Sequence, residues 1–572
     1  MAVGLAAGGP AGEAVRAALG DVDAAVRSTD PGRFGSVEFG VLAAEVGDGA
    51  FCAANAAAGE GGTPWLAIEL GGIGGTPVAD VTAAVSGYAP GTACFDCLRA
   101  RVAANVGDGD DGHDPPDDTD ARFAGALAGR AAARLLSGGE SPVLGGVLEL
   151  PHARRHPLPV PGCSCGEEPD RTVRREYTER DVEGALSRAE RALDPRGGIV
   201  REAGEAESFP TPYYLATLAA TTGFSDAAVP EHAAGVAADW NPAFVKALGE
   251  ALERYAAAVY RTDEMTTGPA GAVANAVPPA AFVTADSFAP PDPTEPLAWV
   301  EGEDLHDGSE AMLPAEFVVF PPPEARHRPS ITTGLGLGSS GTGALLSGLY
   351  ETVERDAAML AWYSTYEPLG LEVEHGGFET LVRRARTEDL ETTVLLLTQD
   401  VDVPVVAACV HREGEWPRFA AGMAADLDPG RAATGALEEA IQNWLELGGM
   451  GREGARSEGN IGEYAGFPGP AREFVDPATT VPAGSVGPAE PPTGAAELDT
   501  LLARLEDAGL RAFAARLTTR DLEDLGFEAV RVLVPSAQPL FTGEAFFGER
   551  ARTVPESLGF EPRLDRDPHP FP

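Results

Sequence analysis

Apolar residues recur at helical spacing in three long segments. In NPAFVKALGEALERYAAAVY, at about 100° per residue, Phe244, Leu248, Leu252, Tyr255 and Val259 gather on one side. Glu250 and Glu253 stand opposite them, about 60° apart on the same projection. GALLSGLYETVERDAAMLAWY repeats the arrangement, with Leu345, Leu349, Val353 and Leu360 behind and Glu351 and Glu354 in front. RAATGALEEAIQNWLEL predicts a third amphipathic helix, carrying Glu438, Glu439 and Gln442. Further helices are expected in RFAGALAGRAAARLL and RDVEGALSRAERALD. Short apolar runs predict strands in PWLAIELGG, EFVVF, TTVLLLT, VPVVAACV and AVRVLVPSAQPLF. The opening AVGLAAGGPAGEAVRAALG reads strand, glycine turn, helix, so the first hundred residues look α/β.

Breaker-rich stretches separate these elements. VGDGDDGHDPPDDTD, residues 106–120, is too acidic to pack and reads as a solvated linker. AGFPGPAREFVDPATTVPAGSVGPAEPPTG reads as a long excursion, a surface loop or poorly ordered segment. Gly336-Leu-Gly338-Ser-Ser-Gly341 fits G-x-G-x-x-G, but no evident buried strand precedes it, which argues against a dinucleotide fold. A phosphate loop of the G-x-x-x-x-G-K type is excluded, because Lys246 is the only lysine and lies elsewhere.

With 572 residues the chain can bury more than one core. It lacks any eighteen-residue apolar run and a basic, then apolar, amino-terminal signal, so a cytoplasmic protein with no membrane span is expected. The 88 acidic against 42 basic residues give a net charge of −46, spread through both halves. That points to halophilic adaptation: in molar salt a Debye length of roughly 3 Å screens the self-repulsion. It argues against a nucleic-acid partner held by phosphate contacts.

The two E-x-x-E-R strings carry the candidate chemistry. Paired carboxylates one turn apart suit Mg²⁺, which takes oxygen ligands and completes its shell with water and substrate phosphates. The adjacent Arg254 and Arg355 suit bidentate contact with phosphate oxygens. Glutamates opposite an apolar stripe usually form a solvated face, but the recurrence of the whole string favours a shared nucleotide–metal site.

Of the six cysteines, Cys52 and Cys409 sit singly in apolar stretches and read as core. Cys94-Phe-Asp-Cys97 and Cys163-Ser-Cys165 form two close pairs, suited to a tetrahedral structural Zn²⁺. The second pair is one residue tighter than the usual knuckle. His152 and His156 are read as exposed loop histidines rather than ligands.

ALGEALERYAA, the glycine turn into ALLSGLYETVERDA, and ALEEAIQNW, in that order, resemble the three ATP-binding segments of the YcaO family. VLVPSAQPL and the terminal PHPFP resemble its closing segments. The first hundred residues with TACFDCLRARVAAN are similar to the ThiF-like leader-binding domains that precede or are fused to YcaO cyclodehydratases. The resemblance implies an α/β domain over residues 1–105 and an acidic linker, helix and zinc-binding segment over 106–168. An α+β YcaO domain of mixed sheets and amphipathic helices, with a C-terminal P-x-P-x-P tail, is implied over 169–572. It implies ATP and Mg²⁺ as cofactors, bound by Glu250, Glu253, Arg254, Glu351, Glu354, Arg355, Ser339, Glu439 and Gln442. Pro568, Pro570 and Pro572 match the tail, whose preset extended backbone would place the terminal carboxylate as a base.

The activity implied is ATP-dependent formation of azolines from Cys, Ser or Thr of a ribosomally made precursor peptide, as in thiazole, oxazole and bacteriocin biosynthesis. The partners implied are that peptide, bound through its leader by strand addition to a sheet edge; a flavin-dependent dehydrogenase and a homodimer are both compatible. Thioamidation or sulfur transfer, and a docking scaffold with little catalysis, are the alternatives. The chain departs from the family's pattern at Ser339 and Gly343, where many members carry Asn and Glu, and at Trp444, where many carry Arg.

Overall fold

The computed structural model describes residues 2–106, 117–151, 153–167, 169–179, 181–457 and 459–572. The acidic stretch 107–116 and His152 lie outside the described residues. The amino-terminal layer begins with β1 (Ala2–Ala6), α1 (Gly9–Leu19), β2 (Ala25–Ser28), β3 (Phe39–Glu45), α2 (Ala50–Gly61) and β4 (Trp65–Leu70). A small hairpin of β5 (Gly72–Ile73) and β6 (Thr76–Pro77) then leads to β7 (Ala83–Tyr88), α3 (Phe95–Val106), α4 (Asp118–Leu136), β8 (Val147–Leu150) and β9 (Ala153–Arg155).

Seven of these strands form one sheet in the order β2-β1-β3-β4-β7-β8-β9, parallel through β4 and antiparallel beyond it. Both faces of β1, β3 and β4 are covered, which is why they read as continuous apolar runs. On one face α1 and α4 meet Val3, Leu5, Val41, Leu66 and Ile68. On the other, α2 and α3 enclose an aromatic cluster of Phe34, Phe51, Trp65, Tyr88 and Phe95. The sheet therefore runs past residue 105 to Arg155: the segment expected to be a linker, helix and zinc-binding stretch supplies α4 to one face and the strands β8 and β9 to the sheet itself. The acidic linker is also shorter than expected: Asp117 caps α4, accepting amide N–H bonds from Thr119 and Asp120 at 2.8 Å, so Asp118 and Asp120 are helical.

The remainder begins with α5 (Val182–Ala189) and a three-stranded antiparallel sheet of β10 (Val200–Glu207), β11 (Tyr213–Leu218) and β12 (His232–Val236). α6 (Trp240–Ala258) packs on it, burying Leu248, Leu252 and Tyr255. Next come β13 (Thr266–Pro269), β14 (Pro296–Asp304), β15 (Glu310–Pro314), α7 (Ala315–Val318), β16 (Leu335–Gly338) and α8 (Gly341–Trp362). A five-stranded sheet is built from β17 (Leu369–Glu372), β18 (Glu391–Leu396), β19 (Val405–His411), β20 (Phe419–Ala425) and β21 (Thr480–Pro482), and supports α9 (Gly376–Ala385) and α10 (Pro429–Gly454). Finally β22 (Phe513–Arg516) and β23 (Glu528–Leu533) insert between β14 and β16 to complete the remaining sheet.

The central helix, α8, is wrapped by neighbours: 18 of its 22 residues are buried. Its start is fixed by Ser340, whose Oγ accepts the Gly343 N–H at 3.3 Å. β16 runs antiparallel to β23 and lies hard against this first turn. A Cβ on Gly336 would come within 2.2 Å of the Ala344 carbonyl oxygen, and one on Gly338 within 2.4 Å of the Ala344 nitrogen. A strand, β16, does lead into this turn, contrary to the sequence reading, but it pairs antiparallel with β23, and its glycines serve close strand–helix packing.

Two expectations need correction. EFVVF does not form a strand: it falls on α7, where Glu316 accepts the amide N–H bonds of Arg326 and His327 and pairs with the His327 ring at 2.5 Å. Those local bonds, following Pro314, hold a helical turn where apolar content alone read as extended. The breaker-rich excursion is also ordered: it contains helix Gly469–Phe474 and β21, with Ala471 and Phe474 buried in the core. Its aromatic residues pack, which breaker content does not reveal. Among the described residues no helix is long and apolar enough to cross a membrane.

Candidate active site

Helical spacing sets the site's first wall. Glu250 and Glu253 project from α6 opposite Leu248 and Leu252, and Glu351 and Glu354 project from α8 opposite Leu345 and Leu349. Both pairs face one cavity of about 1280 Å³. α10 adds Glu438, Glu439 and Gln442, the turn before α8 adds Ser339, the first turn of α8 adds Gly343, and Pro572 closes it from the chain's end. The solvated-face alternative fails for α8, because Glu354 is only 7% exposed.

Crowding acids in a confined space has a measurable consequence. Burial, reinforced by the charges of Glu351 and Glu250, pushes Glu253 up to about 8. Glu354 is also pushed up to about 8, by burial first and then by Glu439 and Glu351. Glu250 and Glu439 are raised mainly by burial. These carboxyls lack sufficient positive charge, which is the donor chemistry a hard divalent cation satisfies. They do not close on a single point: among the described residues, the one group of three or more His, Cys, Asp or Glu whose ligand atoms all lie within 4.8 Å is the cysteine cluster. A spread of carboxylates suits cations that share their coordination with phosphates and water.

The two arginines of the repeated string are engaged within the protein. Arg254 Nη2 donates to Glu250 at 3.0 Å. Arg355 Nε stands 3.3 Å from Glu354 and 3.9 Å from Glu351, its Nη2 3.9 Å from Glu439, and its Nη1 donates to the Pro572 terminal oxygen. Glu439 accepts the Met423 N–H at 2.5 Å, whereas Glu438 turns to Lys246 and accepts the Ala238 N–H at 3.2 Å. Gln442 donates to Glu446 at 3.0 Å.

The tail is embedded. His569 and Phe571 are 0% and 1% exposed, while Trp362 Nε1 donates to the Asp567 carbonyl at 2.9 Å and the Tyr464 hydroxyl to that of Pro568 at 2.7 Å. The His569 ring meets the Phe541 carbonyl at 2.6 Å and stacks on Phe571, which packs against Trp362 and Phe474. Burial lowers His569 to about 4, so the ring is neutral at ordinary pH. Prolines alternate with these two anchors, and the chain end is carried to Arg355.

Of the departures, Ser339 and Gly343 line the cavity, but Trp444 does not. It is 8% exposed, donates to the Pro417 carbonyl at 3.1 Å, and packs under Arg412. Its neighbour Asn443 is the residue that reaches the cavity. Sequence reasoning also missed a polar wall formed by Tyr350, Arg431, Asp426 and Glu497. The Tyr350 hydroxyl donates to Glu497 at 2.8 Å and Arg431 to Asp426 at 2.8 Å. Arg431 follows the α10 cap Asp428 and Tyr350 precedes Glu351, so proximity to the motifs was the available signal.

The four paired cysteines meet on the far side of α6. Sγ–Sγ separations are 3.6 Å for Cys94–Cys163, 3.5 Å for Cys97–Cys165 and 3.8 Å for Cys94–Cys97. A tetrahedron with Zn–S bonds of about 2.3 Å has edges of about 3.8 Å, so this group fits a structural zinc. The Val160 N–H and Arg520 Nη1 donate to the sulfurs of Cys97 and Cys165 at 3.3 and 3.5 Å, orienting two of them. His156 is exposed, Cys409 is buried and Cys52 is half-buried.

Comparison with known proteins follows the same lines. An uncharacterized protein of Methanothermobacter thermautotrophicus is 28% identical over 338 residues, spanning 56% of this chain and 85% of its own. Among solved structures, a heterocyclase in complex with substrate and cofactor superposes with a TM-score of 0.78 at 20% identity, covering 100% of this chain and 85% of the other. The heterocyclase TruD gives 0.65 at 18%, covering 98% and 81%. These two likenesses establish the fold, an α/β unit followed by an α+β unit. Residues 234–538, which hold all three glutamate helices, match the family described as YcaO cyclodehydratase, ATP- and Mg²⁺-binding, and the chain belongs to that family.

Proposed function

We propose that this protein is an ATP-dependent cyclodehydratase that forms azolines from Cys, Ser or Thr residues of a ribosomally made peptide. The observation that carries the reading is that carboxylates from α6, α8 and α10 and the chain's terminal residue line one cavity. Glu250, Glu253, Glu351, Glu354 and Glu439 would hold Mg²⁺, which when bound neutralises triphosphate charge. Ser339 and Gln442 would contact the nucleotide at the rim. Arg254 and Arg355 keep their neighbouring glutamates oriented, and Arg355 also fixes the tail.

In the reaction the peptide's thiol or hydroxyl attacks the preceding carbonyl carbon, giving up its proton to a base. The Pro572 carboxylate, which Arg355 holds at the cavity wall, would take it. The resulting oxyanion attacks the γ-phosphorus of ATP, and ADP leaves. Loss of phosphate with the amide proton then forms the C=N bond of the ring. The balance is peptide plus ATP to azoline, ADP and phosphate, and the peptide loses one water.

The amino-terminal sheet, whose end strands are β2 and β9, is proposed to hold the peptide's leader, and the four cysteines to bind zinc. The test is to incubate the chain with a Cys-rich precursor peptide, ATP and Mg²⁺. Loss of one water from the peptide, with stoichiometric ADP, is expected, and Glu351→Gln is expected to abolish both. A thioamide product, or peptide binding without phosphate release, would refute the reading in favour of sulfur transfer or a scaffold.

A further inference from the structure

Arg188 stands out in this acid-rich chain. Its Nη2 donates to Ser339 Oγ at 2.7 Å, its Cζ lies 5.5 Å over the Phe527 ring, and its Nε is buried without a partner. Among the described residues no carboxylate comes within 4.0 Å of it, although acids outnumber bases 88 to 42. The arginines that line the cavity are each paired: Arg254 with Glu250, Arg355 with Glu354 and Arg431 with Asp426. α5 presents Val182, Ala185 and Ala189, and its cap Asp181, to the same cavity, so Arg188 reaches Ser339 from just behind its wall.

The main-chain donors at the start of α8 are already satisfied. Gly343 donates to Ser340 Oγ, Gly341 to the Glu176 carboxylate at 3.3 Å, and Thr342 to the Glu176 carbonyl at 3.0 Å. The Ser339 hydroxyl lines the cavity at this turn, and the bond from Arg188 leaves its proton free to be given. A serine oxygen has one proton to give and two lone pairs, and a full positive charge occupies one of those pairs. A Mg²⁺ about 2.1 Å from that oxygen would lie within about 5 Å of the guanidinium nitrogen, so like charges oppose it.

We propose that Arg188 is a positioning residue that commits Ser339 to donating its hydroxyl proton to a nucleotide phosphate oxygen, making Ser339 a phosphate contact and not a metal ligand. This rests on the ATP-binding reading above. The test uses the full chain as native protein, Arg188→Met, Arg188→Lys, Ser339→Ala and the Met/Ala double variant. Calorimetry reads ATP affinity at saturating Mg²⁺, and the Mg²⁺ concentration giving half-maximal nucleotide binding. Arg188→Met and Ser339→Ala are each expected to weaken ATP by roughly ten-fold, as for one hydrogen bond to a charged group. The double variant should be little worse than either, and all should keep the native Mg²⁺ half-saturation.

Arg188→Lys, which retains charge and a donor, is expected to keep most of the affinity. If Arg188→Met does not fold, Ser339→Ala and Arg188→Lys carry the test. Unchanged ATP affinity, or a Mg²⁺ requirement that rises about five-fold or more in Ser339→Ala, overturns the proposal. A native protein that binds no ATP in Mg²⁺ refutes instead the functional reading on which it rests.

Discussion

The crowded carboxyls predict that loading the cavity with Mg²⁺ and ATP expels protons. At pH 7 a group with a pKa of about 8 is about 90% protonated. Glu253 and Glu354, both pushed up to about 8, therefore hold close to two protons between them in the empty protein. Coordination to a divalent cation demands the ionised forms, so about two protons should leave at pH 7 and only about 0.2 at pH 9. Each deprotonation opposes binding by about 1.4 kcal/mol at pH 7, so apparent affinity should rise about ten-fold per group between pH 7 and pH 9. Because these acids interact, the count belongs to the cluster rather than to single residues.

Calorimetric titrations in phosphate and in Tris at one pH, whose ionisation enthalpies differ, yield the count directly. Glu253→Gln should remove about one proton from it. Release below about 0.3 protons at pH 7, or a count that does not fall toward pH 9, would refute the electrostatic account. The linked stability has a definite sign: the folded protein binds more protons than the unfolded chain between the ordinary carboxylate range and about 8. Metal-free protein should therefore lose stability as pH rises through that window and level off above it.

Three further outcomes test the architecture. Phe571→Ala removes a buried ring that locks the tail, so ATP-dependent phosphate release should fall more than about ten-fold while secondary structure by circular dichroism is retained; unchanged turnover would show the tail is not used. Cys97→Ser should reduce bound zinc, counted by elemental analysis, from one per chain to a small fraction and lower the thermal midpoint, whereas zinc-free native protein would remove the structural role. Arg101 and Asp521 form a pair with both side chains 0% exposed, shared with the Tyr255 hydroxyl, which donates to Asp521 at 2.6 Å; Asp521→Asn strands the guanidinium and should cost about 3–5 kcal/mol in urea unfolding, against about 1 kcal/mol for Tyr255→Phe.

Periodicity along the chain was enough to place Glu250 with Glu253, and Glu351 with Glu354, on the polar faces of two helices, because side-chain direction in a helix is a local property. The strand–turn–helix opening and the strands at 65–70, 391–396 and 405–411 were legible for the same reason. EFVVF was not: its fate depended on where Glu316 found its hydrogen-bond partners, ten and eleven residues later. The two close cysteine pairs were legible as one four-thiol group, and the fold does bring Cys163 and Cys165, 69 and 68 residues beyond Cys94 and Cys97, to their partners. Tertiary packing alone decided that Arg355 would bind the chain's own terminus, that Glu354 would be buried, and that Trp444 would turn into the core. Each of those outcomes is a choice of partner between distant segments, set by burial and charge pairing in three dimensions, to which local hydrophobic pattern is blind.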